Sequence, residues 1–447
     1  MTTAATLRVA FTTLGCRLNQ VDTQELQAQL EARGFVTVGD DGAADVVVVN
    51  SCTVTSRADF SDRQAIHRAV RRNPDARVIV TGCWAQTDPD TVARVGGVDL
   101  VVGNADKARL SEMVEALLGE TNARPPAVAV SDIATARTLA VAPLAPARDR
   151  SRAFVKVQEG CQHRCAFCIV PRARGASRSR RLDDVVEQVE ALVCAGHAEV
   201  VLTGVDLGHY GADLVPRTTL AALVRRLVEI RGLRWVRLSS VLPAYFTDEL
   251  VDVVTASGRV APHLHIPLQS GSPRVLRRMR RPYTVDRYRA LVDRLTAAIP
   301  RLGLGADVIV GFPGETPADF DETRAVVADL PFTYLHVFPY SDRAGTEAAA
   351  MGDRVETRET TRRGRVLRAL AAEKNAGFQR AMVGTVVEVL VLETPAEDGR
   401  RLVGLTGNYI EVAFAGAPAL RRRIARVRVE GVTGKRAEGI LVREGNE

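Results

Sequence analysis

Lysine is nearly absent from this chain: of sixty basic residues only Lys107, Lys156, Lys374 and Lys435 are lysines, and the rest are arginine. The net charge of +7 favours an anionic partner such as nucleic acid. Arginine richness also follows from genome composition, so the charge is discounted. Long hydrophobic runs are missing too. No apolar stretch approaches the roughly 20 residues a membrane-spanning helix needs. Residues 1–11 have neither a basic stretch leading into an apolar segment nor a small-residue cleavage site, so they read as a first strand and not as a secretory leader. The expectation is a soluble, cytoplasmic protein with no membrane partner. Cysteine is sparse, seven residues in 447. Disulfide frameworks belong to small secreted domains, and a large cytoplasmic chain keeps its thiols reduced. Metal binding or catalysis is therefore the default for these cysteines. No repeat of solenoid length is present.

What is there is globular: 46% apolar and 25% charged residues, in a length that suggests about three domains. Apolar runs at Leu7–Phe11, Asp45–Val49, Arg77–Val80 and Val98–Val102 alternate with helical patterns at Gln20–Arg33, Asp59–Arg72 and Asn104–Leu118. That alternation predicts an open, mainly parallel α/β sheet of about four or five strands over residues 1–119. Residues 120–152, rich in Ala, Pro and Arg without periodicity, read as a linker. Over residues 153–376, six strand candidates are separated by helical patterns: Ala153–Val157, Glu199–Thr203, Arg234–Ser239, His263–Leu268, Gly305–Val310 and Tyr334–Tyr340. They predict a partial (β/α)6 barrel with functional groups at the C-terminal strand ends. A polar helix at Thr357–Ala381 precedes short β-type runs, so residues 377–447 are expected to form a small β-barrel.

Two sets of cysteines carry the chemistry. Cys161, Cys165 and Cys168 fall in one loop directly after the first strand of the barrel, with Phe167 before the last of them. Iron–sulfur clusters are normally held by four thiolates, so three on a four-iron cluster leave one iron open to a substrate or cofactor. The competing readings are scattered buried thiols, or a zinc site completed by His163. Cys16, Cys52 and Cys83 lie far apart in sequence, yet each follows a predicted strand. In a parallel sheet such ends share one edge, where open α/β folds place their ligands. A second triad with its own open iron follows from that placement; buried cysteine as a small hydrophobe explains one of the three better than all of them. Cys194, ending an apolar helical pattern, is expected to be a packing residue.

The Cys-x3-Cys-x2-Cys spacing with Phe167 resembles the radical S-adenosylmethionine superfamily, and the chain as a whole resembles its methylthiotransferases. The resemblance rests on Leu14–Gln20, Asn50–Thr55, Val80–Gln86, Gly160–Cys168, His265–Ser272 and Gly311–Thr316. It implies an N-terminal cluster domain, a radical domain and a C-terminal TRAM domain. It also implies two 4Fe–4S clusters. The Cys161 cluster would bind S-adenosyl-L-methionine and generate a 5′-deoxyadenosyl radical, and the Cys16 cluster would hold or supply sulfur. Phe167, Gly204 and Gln269 become candidate S-adenosylmethionine residues. The implied reaction puts a methylthio group on carbon 2 of a modified adenosine at tRNA position 37, beside the anticodon, using two S-adenosylmethionine molecules. Its implied partners are the tRNA anticodon stem-loop, an electron donor such as flavodoxin or ferredoxin, and a sulfur donor. Gly15–Gln20 and Gly204–Gly211 resemble the bacterial threonylcarbamoyladenosine branch more than the isopentenyladenosine or ribosomal-protein branches. Gly404–Tyr409 and Arg421–Arg423 resemble TRAM features suited to RNA backbone contacts.

Two other classes compete. A cobalamin-dependent radical methylase also puts an α/β domain first, but its Asp-x-His-x-x-Gly signature is missing here. A non-catalytic RNA-binding protein with a structural cluster calls for a coordinatively closed cluster, which two sets of three cysteines do not suggest.

Overall fold

A computed structural model of the chain describes residues 6–39, 42–119, 125–139, 150–397, 399–434 and 436–442. These fall into two compact units. The first takes in Met1–Ala145, Gln158–Arg180 and Ser341–Ala349; the second takes in Pro146–Val157, Arg181–Tyr340 and Ala350–Glu447.

The first unit is built on a parallel sheet of β1 (Arg8–Thr13), β2 (Val36–Val38), β3 (Val46–Ser51), β4 (Arg77–Gly82), β5 (Leu100–Val102) and β6 (Ala127–Ala129), in the order β2-β1-β3-β4-β5-β6. The run Val46–Val49 is apolar at every position because both faces of β3 are covered. Val46 and Val48 pack with Leu26 and Leu30 of α1 (Arg17–Glu31), and Val47 and Val49 pack with Ile66 of α2 (Ser56–Arg72). Thr55 caps α2 by accepting from the Ala58 N–H, Asp59 lies in its first turn, and Arg71 and Arg72 lie in its last, all favourable to the helix dipole. Two further short elements matter for the site: α3 (Cys83–Thr87), which starts where β4 ends, and α4 (Val170–Arg174). A two-stranded ribbon of β8 (Gln158–Glu159) and β9 (Arg178–Ser179) precedes and follows the segment that carries Cys161.

The sheet holds six strands, not four or five. Both additions are three-residue edge strands whose residues are mostly exposed or half-buried, so no apolar pattern marked them. β6 lies in the stretch expected to be linker. There, Ile133 is also buried, while residues 120–124 and 140–149 of that stretch lie outside the described residues.

In the second unit, β7 (Ala153–Lys156), β10 (Glu199–Thr203) and β11 (Trp235–Leu238) form one parallel sheet, and β12 (His263–His265), β13 (Gly303–Val310) and β14 (Tyr334–Pro339) form another. Parallel bridges Val236↔Val260 and Ser240↔His265 connect the edge of one to the other. The result is the expected partial barrel, wrapped by helices such as Leu182–Cys194 and Pro317–Asp329. Thr316 and Asp319 form a reciprocal capping box at the start of the latter. The C-terminal strands β15 (Val386–Val391), β16 (Leu402–Thr406), β17 (Glu411–Phe414), β18 (Ile424–Thr433) and β19 (Arg436–Leu441) close into a barrel in the order β15-β16-β17-β19-β18. Among the described residues no helix is long and apolar enough to cross a membrane.

Candidate functional site

The pairing of β1, β3 and β4 decides where Cys16, Cys52 and Cys83 go. Thr13 is in register with Asn50, Asn50 with Thr81, and Ser51 with Gly82, so the three chains leave the sheet along one edge. Two glycines then shape the turns. Gly15 has φ +95° and Gly82 φ +102°, conformations that other residues adopt only with strain. A Cβ on Gly15 would stand 2.7 Å from Cys52 Cβ and 2.8 Å from its Sγ, a measure of how closely the Cys16 turn lies on Cys52. A Cβ on Gly82 would meet the Ser51 carbonyl oxygen at 2.3 Å.

Cys52 and Cys83 are buried, whereas Cys16 is exposed. Burial pushes the Cys52 thiol up to about 12; the Val54 N–H opposes this, and Cys83, Cys16 and Asp62 add to it. A buried Cys52 thiol that resists ionisation, with Cys83 and Cys16 beside it, fits a bound cationic core, which would hold that thiolate deprotonated. The turn is braced from below: the Cys52 N–H donates to Asp62 Oδ2 at 2.9 Å, and burial pushes that carboxyl up to about 8. Among the described residues no three His, Cys, Asp or Glu side chains are close enough to share one metal ion. A four-iron cluster asks for something wider, one thiolate on each of three irons.

Cys161, Cys165 and Cys168 occupy the loop between β8 and α4, in the same unit as the first triad. All three are half-buried, as is Phe167. The loop is fixed by backbone: the Cys161 N–H donates to Gly175 O at 3.0 Å and the Cys168 N–H to Cys165 O at 3.1 Å. Gly160, at φ +75°, leaves no room for a side chain, since its Cβ would fall 1.9 Å from Ala176 O.

Sequence reasoning missed the buried polar core of this unit. Arg174, 2% exposed, donates to Asn19 Oδ1 at 2.6 Å, to Asp22 Oδ2 at 2.9 Å and to Glu159 Oε1 at 2.5 Å. Lys107 Nζ donates to the same Asp22 oxygen at 2.7 Å. Of these residues only Asn19 lies in a segment that carries the family resemblance.

Gly204 and Gln269 belong to the second unit. Gly204 directly follows β10. Gln269 follows the β12 edge at φ +64°, its N–H donating to Asp307 O at 2.8 Å and its carbonyl accepting from the Ile309 N–H at 2.9 Å. Its side-chain Oε1 is buried with no hydrogen-bond partner among the described residues, an acceptor that suits a polar ligand. Cys194 is not a packing residue. The buried stripe of its helix runs through Val185, Val186, Val189 and Leu192, and Cys194 lies off that stripe, exposed. The Arg421–Arg423 cluster is partly committed within the chain: Arg422 donates to Ala195 O at 3.5 Å and faces Glu393.

Comparison with known proteins bears on this arrangement. Residues 155–327 match the family model described as Radical SAM superfamily, and residues 8–103 match that described as Uncharacterized protein family UPF0004. A threonylcarbamoyladenosine tRNA methylthiotransferase, MtaB, of Bacillus subtilis is 39% identical over 97% of this chain and 96% of its own length. A tRNA-2-methylthio-N(6)-dimethylallyladenosine synthase of Parafrankia is 37% identical over 97% of this chain and 85% of its own. Among solved structures, the radical S-adenosylmethionine methyltransferase TsrM of Kitasatospora setae shares the fold at 19% identity and a TM-score of 0.56, over 76% of this chain and 75% of its own.

Proposed function

Since the chain belongs to the radical S-adenosylmethionine tRNA methylthiotransferases, we propose that it methylthiolates carbon 2 of N6-threonylcarbamoyladenosine at position 37 of tRNA. The observation that carries the reading is the gathering of six cysteines, as two sets of three, in one compact unit. Cys161, Cys165 and Cys168 hold one 4Fe–4S cluster, and Cys16, Cys52 and Cys83 hold the other, each with an iron left open. When bound, these groups and two S-adenosyl-L-methionine molecules supply C–H activation, sulfur and methyl, the hard chemistry that a protein delegates to cofactors.

The chain's own residues do the rest. Backbone bonds at Cys161 and Cys168 and the tight turns at Gly15, Gly82 and Gly160 fix the ligand loops. Phe167, Gly204 and Gln269 are the candidates to receive S-adenosylmethionine, Gln269 through its unpartnered amide oxygen. The C-terminal barrel, residues 377–447, serves as the RNA-binding domain, with the anticodon stem-loop as its ligand. A low-potential donor such as flavodoxin or ferredoxin and a separate sulfur donor complete the set of partners.

The threonylcarbamoyladenosine branch is supported by Gly15-Cys16-Arg17-Leu18-Asn19-Gln20 and by the Bacillus relative. The test is mass spectrometry of tRNA nucleosides from a strain lacking the corresponding gene, with and without this chain. The expected result is restoration of 2-methylthio-N6-threonylcarbamoyladenosine. A methylthio mark on isopentenyladenosine, or on a ribosomal protein, overturns the branch.

A further inference from the structure

We propose that Arg174 is a positioning residue that compensates the charge of the Cys16, Cys52 and Cys83 cluster and couples it to the loop of Cys161, Cys165 and Cys168. The inference rests on the two-cluster reading above and adds a residue that neither cysteine motif contains.

The side chain is placed for both tasks. Arg174 ends α4, the helix that starts just after Cys168. Its Nη1 bonds Glu159, which stands two residues before Cys161, so the guanidinium grips the second loop on both sides of its cysteines. Its Nη2 reaches Asn19 and Asp22 on α1, the helix that starts just after Cys16. Lys107 shares Asp22 Oδ2 and reaches Asn50 Oδ1 at 3.4 Å, just ahead of Cys52. Asn50 Nδ2 in turn donates to Asn19 O at 2.9 Å. Asn104 Nδ2 donates to Ala173 O at 2.7 Å and lies 3.9 Å from Cys83 Sγ. The network thus reaches Cys83 through Asn104 and ties Arg174, through Asn19 and Asn50, to the segments that carry Cys16 and Cys52.

The electrostatics point the same way. Arg174 stands between Asp22 and Glu159, with Lys107 on the same Asp22 oxygen, and three cluster thiolates would add negative charge to this group. Burial alone opposes the Arg174 cation, yet Asp22, Cys83, Glu159 and Cys16 together hold it firmly protonated. Removing the guanidinium takes one buried positive charge from between the two cysteine loops, and every added electron then meets more negative charge. The cluster becomes harder to reduce. Lysine at this position keeps the charge but cannot bridge Glu159 and α1 with a fixed fork, so it restores the potential better than the geometry.

The test is a redox titration, followed by electron paramagnetic resonance, of the full chain reconstituted anaerobically as wild type, Arg174→Gln and Arg174→Lys. Each is repeated with Cys161, Cys165 and Cys168 replaced by serine, so that the first-triad signal is assigned. The Gln variant is expected to keep its iron while the first-triad cluster shows at least a tenfold lower reduced-to-oxidised ratio at a fixed poise, about 59 mV for one electron. The Lys variant is expected to shift less. An unchanged midpoint in the Gln variant overturns the proposal, and so does loss of first-triad iron from both variants, which would make Arg174 a prop alone. If the wild type itself holds about four iron atoms where two four-iron clusters require about eight, the two-cluster reading has failed, and that failure is separate from an unshifted potential.

Discussion

The turn that presents Cys16 depends on a residue with no side chain. Gly15 combines a positive φ with a neighbour, Cys52, whose Sγ would be 2.8 Å from any added Cβ. Gly15→Ala therefore meets both backbone strain of about 1 kcal/mol or more and a clash with Cys52, a cluster ligand in the proposed function. The expected outcome is selective loss of the first cluster: iron analysis after anaerobic reconstitution falls from about eight atoms per chain to about four. Reductive cleavage of S-adenosylmethionine, which the proposed function assigns to the other triad, is expected to persist. Full iron retention would show that the Cys16 turn can shift away from Cys52. The two triads were unequally legible in the sequence. Cys161, Cys165 and Cys168 are neighbours, so spacing alone exposes them. Cys16, Cys52 and Cys83 become a set only through the parallel register of β1, β3 and β4. Arg174 gave no signal, because its partners Asn19 and Asp22 lie 155 and 152 residues away. Nothing local marks a buried arginine.

Among elements, β10 and β11 show how a buried ion pair joins two architectures within the second unit. Glu199 and Arg237 are fully buried and paired at 2.7 Å, and Arg237 also donates to Gly407 O at 2.8 Å and Thr406 O at 3.3 Å, where β16 ends. The partial barrel and the C-terminal barrel share this one guanidinium. Arg237→Ala strands the Glu199 carboxylate and takes the Arg237 donor from the Gly407 and Thr406 carbonyls, of which Thr406 O keeps the Tyr409 N–H, so it is expected to cost about 3–5 kcal/mol. A fall in the urea midpoint measures it. Adding Glu199→Gln to that variant should recover part of the loss, and no difference between single and double variants would count against the charge argument. Glu199 and Arg237 fall within strands that periodicity located correctly, but their burial could not be read from it. A charged residue inside an apolar strand pattern looks the same whether it faces solvent or a partner. The edge strands β2 and β6 escaped for the opposite reason: Val36, Ala127 and Val128 are exposed, and they leave no apolar stripe.

At the scale of the whole molecule, the sequence order of domains differs from their assembly. The segments before and after most of the partial barrel, 158–180 and 341–349, belong to the first unit. Arg343 bonds Thr53 O at 3.2 Å and Asp59 Oδ2 at 2.7 Å, and the Ser56 N–H donates to Ser341 Oγ at 3.0 Å, across 284 to 290 residues. Contacts of that range are invisible to any window of local pattern. On β18, Arg426, Arg428 and Glu430 are exposed and alternate with buried Ala425, Val427 and Val429, so the outer face of this strand carries two arginines and one glutamate. On the proposed function, RNA held there through its backbone would release counterions, and log affinity would fall linearly with log salt by about 0.7 to 0.9 for each phosphate contact. Replacing both arginines by glutamine in the full chain should weaken tRNA binding and flatten that slope by about 1.4 to 1.8, while iron content stays at the wild-type level. Fluorescence titrations across a salt series measure both quantities. An unchanged slope with unchanged affinity would move the RNA-binding face off β18 and onto another surface of the chain.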